Sequence, residues 1–360
     1  MTGLQVVHFG GHRFTLDVDR VFAADQLAHL TDFSATLDRV GDCEHPPTSI
    51  TVRHDAGLFT DRLERLAELP SRTVVPFRGE PYHLAQIGDV TWWRPSHGAG
   101  RAEDHLYARD RAGRVHILLR PGAERGERYL MRAIREAVLR CTQDRGWTVF
   151  HAAAAAVGDR GVLLAGTSGA GKTTVLSALA AHAGADLIAA DRAAIAEHAN
   201  RVIGVPLSVR IGAGTIGALP PALAADHRLA VPKELGAGGK VALTPVEFAA
   251  AFAVAVRESA PLALVVLPRL TDDQQPPGAD LLDRYTARRQ LAAACCTPHD
   301  EDWLEPWLAP GPTNSANMQS QADQLLDAVA DTLPVVRVTA GVHCPDLLHR
   351  LADCVLGRLG

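Results

Sequence analysis

The sequence predicts an α/β chain in two parts: a smaller α+β domain over 1–125 and a larger α/β domain with a mixed sheet over 126–360. Three observations carry this expectation. The chain has 360 residues and 47% apolar content, more than one small domain needs and enough for a sizeable core. Its first third is a series of short strand-like runs cut by Gly, Pro, Asp and Ser. Beyond residue 145, apolar strands alternate with helical stretches, and one such strand runs straight into a glycine-rich turn and a helix.

Taken in order, VVHF, HRFTLDV, SITVR, RTVVPF, DVTWW and RVHILLR have strand composition, and DRLERLAEL (61–69) suits a helix. Of Trp92 and Trp93, at least one belongs to the core. ERYLMRAIREAVLRCTQ (127–143) puts Leu130, Ile134, Val138 and Leu139 near one face, as an amphipathic helix does. The domain boundary is expected near 120–145, in or just before this helix. GWTVFHAAAAAVGDRGVLLAG supplies two strands around a turn at 158–161. Further strands are expected at DLIAAD (186–191), within VIGVPLSVR (202–210), at ALVVLPRL (263–270) and at LPVVRVTAG (333–341). Helices are expected near 245–257, 281–294 and 345–359, a solvated loop at 271–280 and a mobile loop at 309–321.

Charge and cysteine usage narrow the class. A formal net charge of -5 argues against a dedicated nucleic-acid or anionic-membrane binder. The six cysteines (43, 141, 295, 296, 344, 354) form no CxxC pair, and no stretch reaches 18 uninterrupted apolar residues. The start has no signal-peptide pattern, so the expectation is a reduced, cytoplasmic protein. Arginine supplies 33 of the 36 basic side chains, and one of the three lysines falls in the strongest motif of the chain.

That motif is Gly166-Thr167-Ser168-Gly169-Ala170-Gly171-Lys172-Thr173, followed by Thr174, and it matches GxxxxGK[ST] without a gap. Glycines let the backbone close around phosphate oxygens, and the following helix turns its N-terminus toward them. Lys172 is expected on the β- and γ-phosphates, and the Thr173 hydroxyl on magnesium. Asp191, 18 residues beyond Thr173 at the end of a strand, is the candidate acidic partner of the metal. The implied ligands are ATP and Mg2+.

On these residues the chain resembles the catalytic domain of the HPr kinase/phosphorylase family, which includes kinases of serine in ribosomal peptide precursors. The likeness covers about 145–215 and, in outline, 216–350. His151 stands where the family has a histidine at the start of the strand before the loop. Asp191 matches the second, metal-associated aspartate of a family pair; Ala190 stands where the first, the base toward the acceptor, would be. Val205, Pro206 and Arg210 look like the strand pair leading to the acceptor, with Arg210 as a clamp for phosphate or an anionic acceptor. The resemblance implies an HPr-kinase-like fold and transfer of the ATP γ-phosphate to a hydroxyl of a small molecule or peptide serine. It also implies a homo-oligomer as one possible state.

Ala190 keeps other readings open. A general base is worth about 10²–10⁴-fold, so its loss slows transfer without abolishing it, and His151 is a candidate substitute. The alternatives are a nucleotide-binding regulatory or interaction module whose transfer activity has decayed, and a partner-coupled ATPase. Arg269, at the end of ALVVLPRL, is a weaker candidate for the ligand edge.

Overall fold

The computed structural model describes residues 3–9, 12–33, 36–37, 48–77, 79–96, 104–123, 126–196, 199–230, 239–300, 308 and 315–360. It is a mixed α/β protein that divides into two compact units. One comprises Met1–Thr31, Ala35–Asp144 and His299–Thr313; the larger comprises Asp32–Ser34, Arg145–Pro298 and Asn314–Gly360.

The first unit is built on β1 (Gly3–Phe9), β2 (His12–Val18), α1 (Arg20–Thr31), β3 (Thr36–Leu37), β4 (Thr48–His54), α2 (Ala56–Glu68), β5 (Arg72–Phe77), β6 (Glu80–Ile87), β7 (Val90–Pro95), β8 (His105–Arg109), β9 (Val115–Leu119) and α3 (Glu127–Asp144). Its nine-stranded sheet has the order β3-β1-β2-β4-β9-β8-β7-β6-β5. β2, β4 and β9 run parallel, which requires crossovers; α1 supplies the first. RVFAADQLAHLT was not expected as a helix because its apolar residues follow no single stripe. The Asp55 side chain caps α2 by accepting from the Leu58 amide at 2.9 Å. Trp93 is buried, and Trp92 packs beside the cluster of Phe59, Leu66 and Leu106. By compactness the division falls after α3, at the late end of the expected 120–145 span, because α3 packs on α1, β2 and β9 of this unit.

This unit also buries a polar network. His105 Nδ1 lies 2.8 Å from Asp104 Oδ1, its Nε2 lies 3.0 Å from the Tyr82 hydroxyl, and Tyr129 donates to Asp104 while stacking on the His105 ring. Burial dominates His105 and lowers its pKa to about 4, against the opposing pull of Asp104.

The larger unit contains β10 (Thr148–Val157), β11 (Arg160–Ala165), α4 (Lys172–Ala183), β12 (Asp186–Ala189), β13 (Arg192–Ile195), β14 (Arg201–Gly204), β15 (Val209–Gly212), α5 (Ala213–Gly217), α6 (Pro221–Ala224), β16 (Lys240–Leu243), α7 (Pro245–Phe252), β17 (Ser259–Thr271), β18 (Gly278–Leu281), α8 (Arg284–Ala292), α9 (Ser315–Thr332), β19 (Val335–Gly341) and α10 (Leu347–Leu359). β10 and β17 each change partners partway along. β10 pairs β13 through His151, then β11 and β12; β17 pairs β14, then β11, then β19. The ladder β11-β10-β13-β14-β17 thereby closes back on β11. Ala152–Ala156 of β10 are buried on both faces. Ala153 and Ala155 meet the cluster containing α4 and α10, and Ala152, Ala154 and Ala156 meet the one containing α8 and α9. Small side chains suit a strand covered on both faces, so alanine's weak strand preference is overridden by burial.

Two expected loops contain structure. The stretch 271–280 ends in the edge strand β18, and 315–321 of the expected mobile loop is the first part of α9, whose 309–314 lie outside the described residues. Cys141, Cys295, Cys296, Cys344 and Cys354 are thiols outside any disulfide; Cys43 lies outside the described residues. Among the described residues, no helix is long and apolar enough to cross a membrane.

Candidate functional site

β11, β17 and β19 are parallel, so their C-terminal ends share one edge of the sheet, the usual ligand edge of such sheets. At that edge Gly166–Gly171 turns β11 into α4. Gly169 and Gly171 take φ of +82° and +104°, a region that favours glycine. A Cβ on Gly171 would lie 2.5 Å from Leu270 Cγ, so neighbouring β17 leaves no room for a side chain there. Gly171 is also the N-cap of α4 and gives it no side-chain cap. The first turn of the helix therefore opens toward the loop, as an anion site requires.

Lys172 is buried and spans the loop, donating from Nζ to the carbonyls of Gly166 at 2.7 Å and Thr167 at 3.0 Å. Thr167 and Ser168 are exposed at the loop tip, and Ala170 and Thr173 are half-buried. The Thr174 hydroxyl lies 2.9 Å from that of Thr215 on α5, tying the helix start to the segment after β15.

His151, Asp191 and the loop meet through the backbone. The His151 carbonyl accepts from the Gly166 amide at 3.3 Å, and the Asp191 carbonyl accepts from Ala152 at 3.1 Å. His151 Nε2 lies 3.2 Å from Asp191 Oδ1, and Arg192 Nη1 donates to Oδ2 at 2.7 Å. Burial pushes the Asp191 carboxyl upward. The His151 hydrogen bond and the charges of Arg192, His151 and Lys172 outweigh it and hold the group at about 2. At neutral pH the site thus presents an ionised carboxylate within the field of the loop lysine.

The other sequence candidates fall elsewhere. Ala190 is 6% exposed and belongs to the apolar cluster with Val175, Leu187 and Val209. Asp186, which opens β12, binds Arg257 at 2.6 Å and the Ala255 amide at 2.8 Å. Arg210 sits on the β15–β16 ribbon, exposed on the face opposite buried Val209 and Ile211. Among the described residues it shares no hydrogen bond or ion pair with the loop, His151 or Asp191. Arg269 is exposed beside Leu270, whose amide approaches the Ala170 carbonyl at 3.4 Å. The sequence reading missed Arg192, Thr215 and Leu270. For Arg192 the available signal was its place next to Asp191 in Asp-Arg, opening a strand of small apolar residues.

Among the described residues, no three or more His, Cys, Asp or Glu gather as a metal cluster. One ionised carboxylate and one threonine hydroxyl do suit magnesium arriving with a polyphosphate, since that ion takes few protein ligands and relies on phosphate oxygens and water.

Fold and site together define a mixed α/β protein whose larger unit carries a glycine-rich strand–loop–helix turn beside a clamped carboxylate. A scan against protein-family models and a search of the curated proteins each found no match.

Proposed function

We propose that this chain is an HPr-kinase-like, ATP-dependent phosphotransferase that moves the γ-phosphate to a hydroxyl of a small molecule or peptide serine. One observation carries the reading: Lys172 lies across a positive-φ glycine loop at an uncapped helix N-terminus, with ionised Asp191 close enough to feel its charge. In this reading the loop amides and the α4 N-terminus receive the β- and γ-phosphates, and Lys172 exchanges its loop carbonyls for phosphate oxygens. Thr173 and Asp191 would hold magnesium, which when bound would supply charge neutralisation on the phosphates. Ala190 has no proton-accepting group and faces the core, so proton transfer from the acceptor falls to His151, oriented by Asp191.

The test is incubation with labelled ATP, magnesium and a panel of hydroxyl acceptors, with Lys172→Ala as control. Acceptor labelling with ADP formation, both lost in the variant, supports transfer; ADP without a labelled acceptor is hydrolysis, and neither product from the wild type refutes the reading. A nucleotide-binding module with decayed transfer is the second reading, favoured by the burial of Ala190. It gives tight nucleotide binding with negligible turnover.

A further inference from the structure

We propose that Arg192 is a positioning residue of this site, fixing the Asp191 carboxylate in the orientation the transfer needs; the inference rests on the phosphotransferase reading above. Among the described residues Arg192 is one of the largest fully buried side chains, at 1% exposure. Placing a guanidinium there costs several kcal/mol of desolvation unless it is well paired. Its Nη1 donates to two acceptors of one residue, the Asp191 carbonyl at 3.1 Å and Oδ2 at 2.7 Å. Backbone and side chain of Asp191 are thus held by the same nitrogen.

The sheet register builds this arrangement. Arg192 of β13 is the direct cross-strand partner of His151 on β10, and cross-strand partners project to the same face. One ladder step therefore sets the two cationic or ring groups on either side of a single carboxylate, His151 toward Oδ1 and Arg192 toward Oδ2. The two sides differ in freedom. Arg192 is enclosed, whereas His151 is 13% and Asp191 45% exposed. Oδ2 is the anchored oxygen, which leaves Oδ1 on the open side of the carboxylate, toward His151. Arg192 touches no reacting atom; it acts through Asp191.

The experiment uses the full chain and Mn2+ as the metal probe, bound with a non-hydrolysable ATP analogue and read by electron paramagnetic resonance. Arg192→Met should raise the half-saturating Mn2+ concentration about 10-fold or more, the usual cost of removing a ligand's supporting partner. Metal-free analogue affinity should stay within about two-fold, because the loop is untouched. Arg192→Met should add little in an Asp191→Asn background, because the two residues act as one unit. Should Arg192→Met fail to fold, Arg192→Lys carries the test, with an Mn2+ requirement raised by a smaller factor. Unchanged or tighter Mn2+ binding in a folded variant overturns the inference: Arg192 would then be a structural counter-charge. If that happens while the wild type still labels an acceptor, the phosphotransferase reading stands. A wild type that binds neither probe overturns both.

Discussion

The buried His105 makes the smaller unit acid-sensitive by a calculable amount. An imidazole in the unfolded chain takes up its proton near 6.5, but the folded chain holds His105 at about 4. Between those values the unfolded state binds the extra proton, so stability is full above about 6.5 and falls as pH drops toward 4. The gap, at about 1.4 kcal/mol per pH unit, amounts to about 3 kcal/mol, a large share of the 5–15 kcal/mol typical of a domain. Most of it is gone by about pH 4.5. The side chain is 5% exposed, so solvent screens little of this effect. Urea unfolding read by tryptophan fluorescence from pH 7.5 to 4.5 measures the loss. His105→Gln, whose side chain does not titrate, should show a curve flatter by about that amount. Parallel curves for wild type and variant, or an NMR titration of the His105 ring near 6.5, would refute the argument.

Other substitutions test the larger unit. Gly171→Ala forces a left-handed φ on alanine and presses a methyl onto Leu270, costing at least about 1–2 kcal/mol; a lowered melting temperature and weakened ATP binding should appear together. Ala190→Asp puts a carboxylate among Val175 and Leu187, costing about 3 kcal/mol or more without raising transfer. A rise in acceptor labelling would instead mean that position 190 opens toward the acceptor. Thr174→Val removes the bond to Thr215 and should cost about 1 kcal/mol in thermal or urea unfolding, with Lys172 still seated on the loop.

How much was legible depended on whether a local pattern carried the information. The strand–loop–helix around Lys172 follows from residue types at fixed spacing, and β17 and β19 from near-continuous apolar runs. α1 escaped because its apolar residues are spread around the helix, and α9 because it opens with polar Ser-Ala-Asn-Met-Gln-Ser-Gln. In the site, Asp191 could be picked out because it ends an apolar strand, and His151 through the family resemblance. Arg192 carried only the weak signal of its place beside Asp191, since an arginine in isolation reads as solvated and its burial is decided by strand pairing. Arg210 illustrates the converse: strand alternation alone, with Val209 and Ile211 in the core, turns it outward.

The closed ladder of the larger unit also bears on how the chain is made. β11 needs β17 to cover its second edge, and the register pairs Gly161 with Leu262, about a hundred residues further on. A ribosome adding about 5–20 residues per second leaves that edge uncovered for about 5–20 s. During this interval the newborn strand bearing the glycine-rich loop presents a bare hydrogen-bonding edge. It is the point at which a truncated or stalled product is most exposed to pairing with another chain.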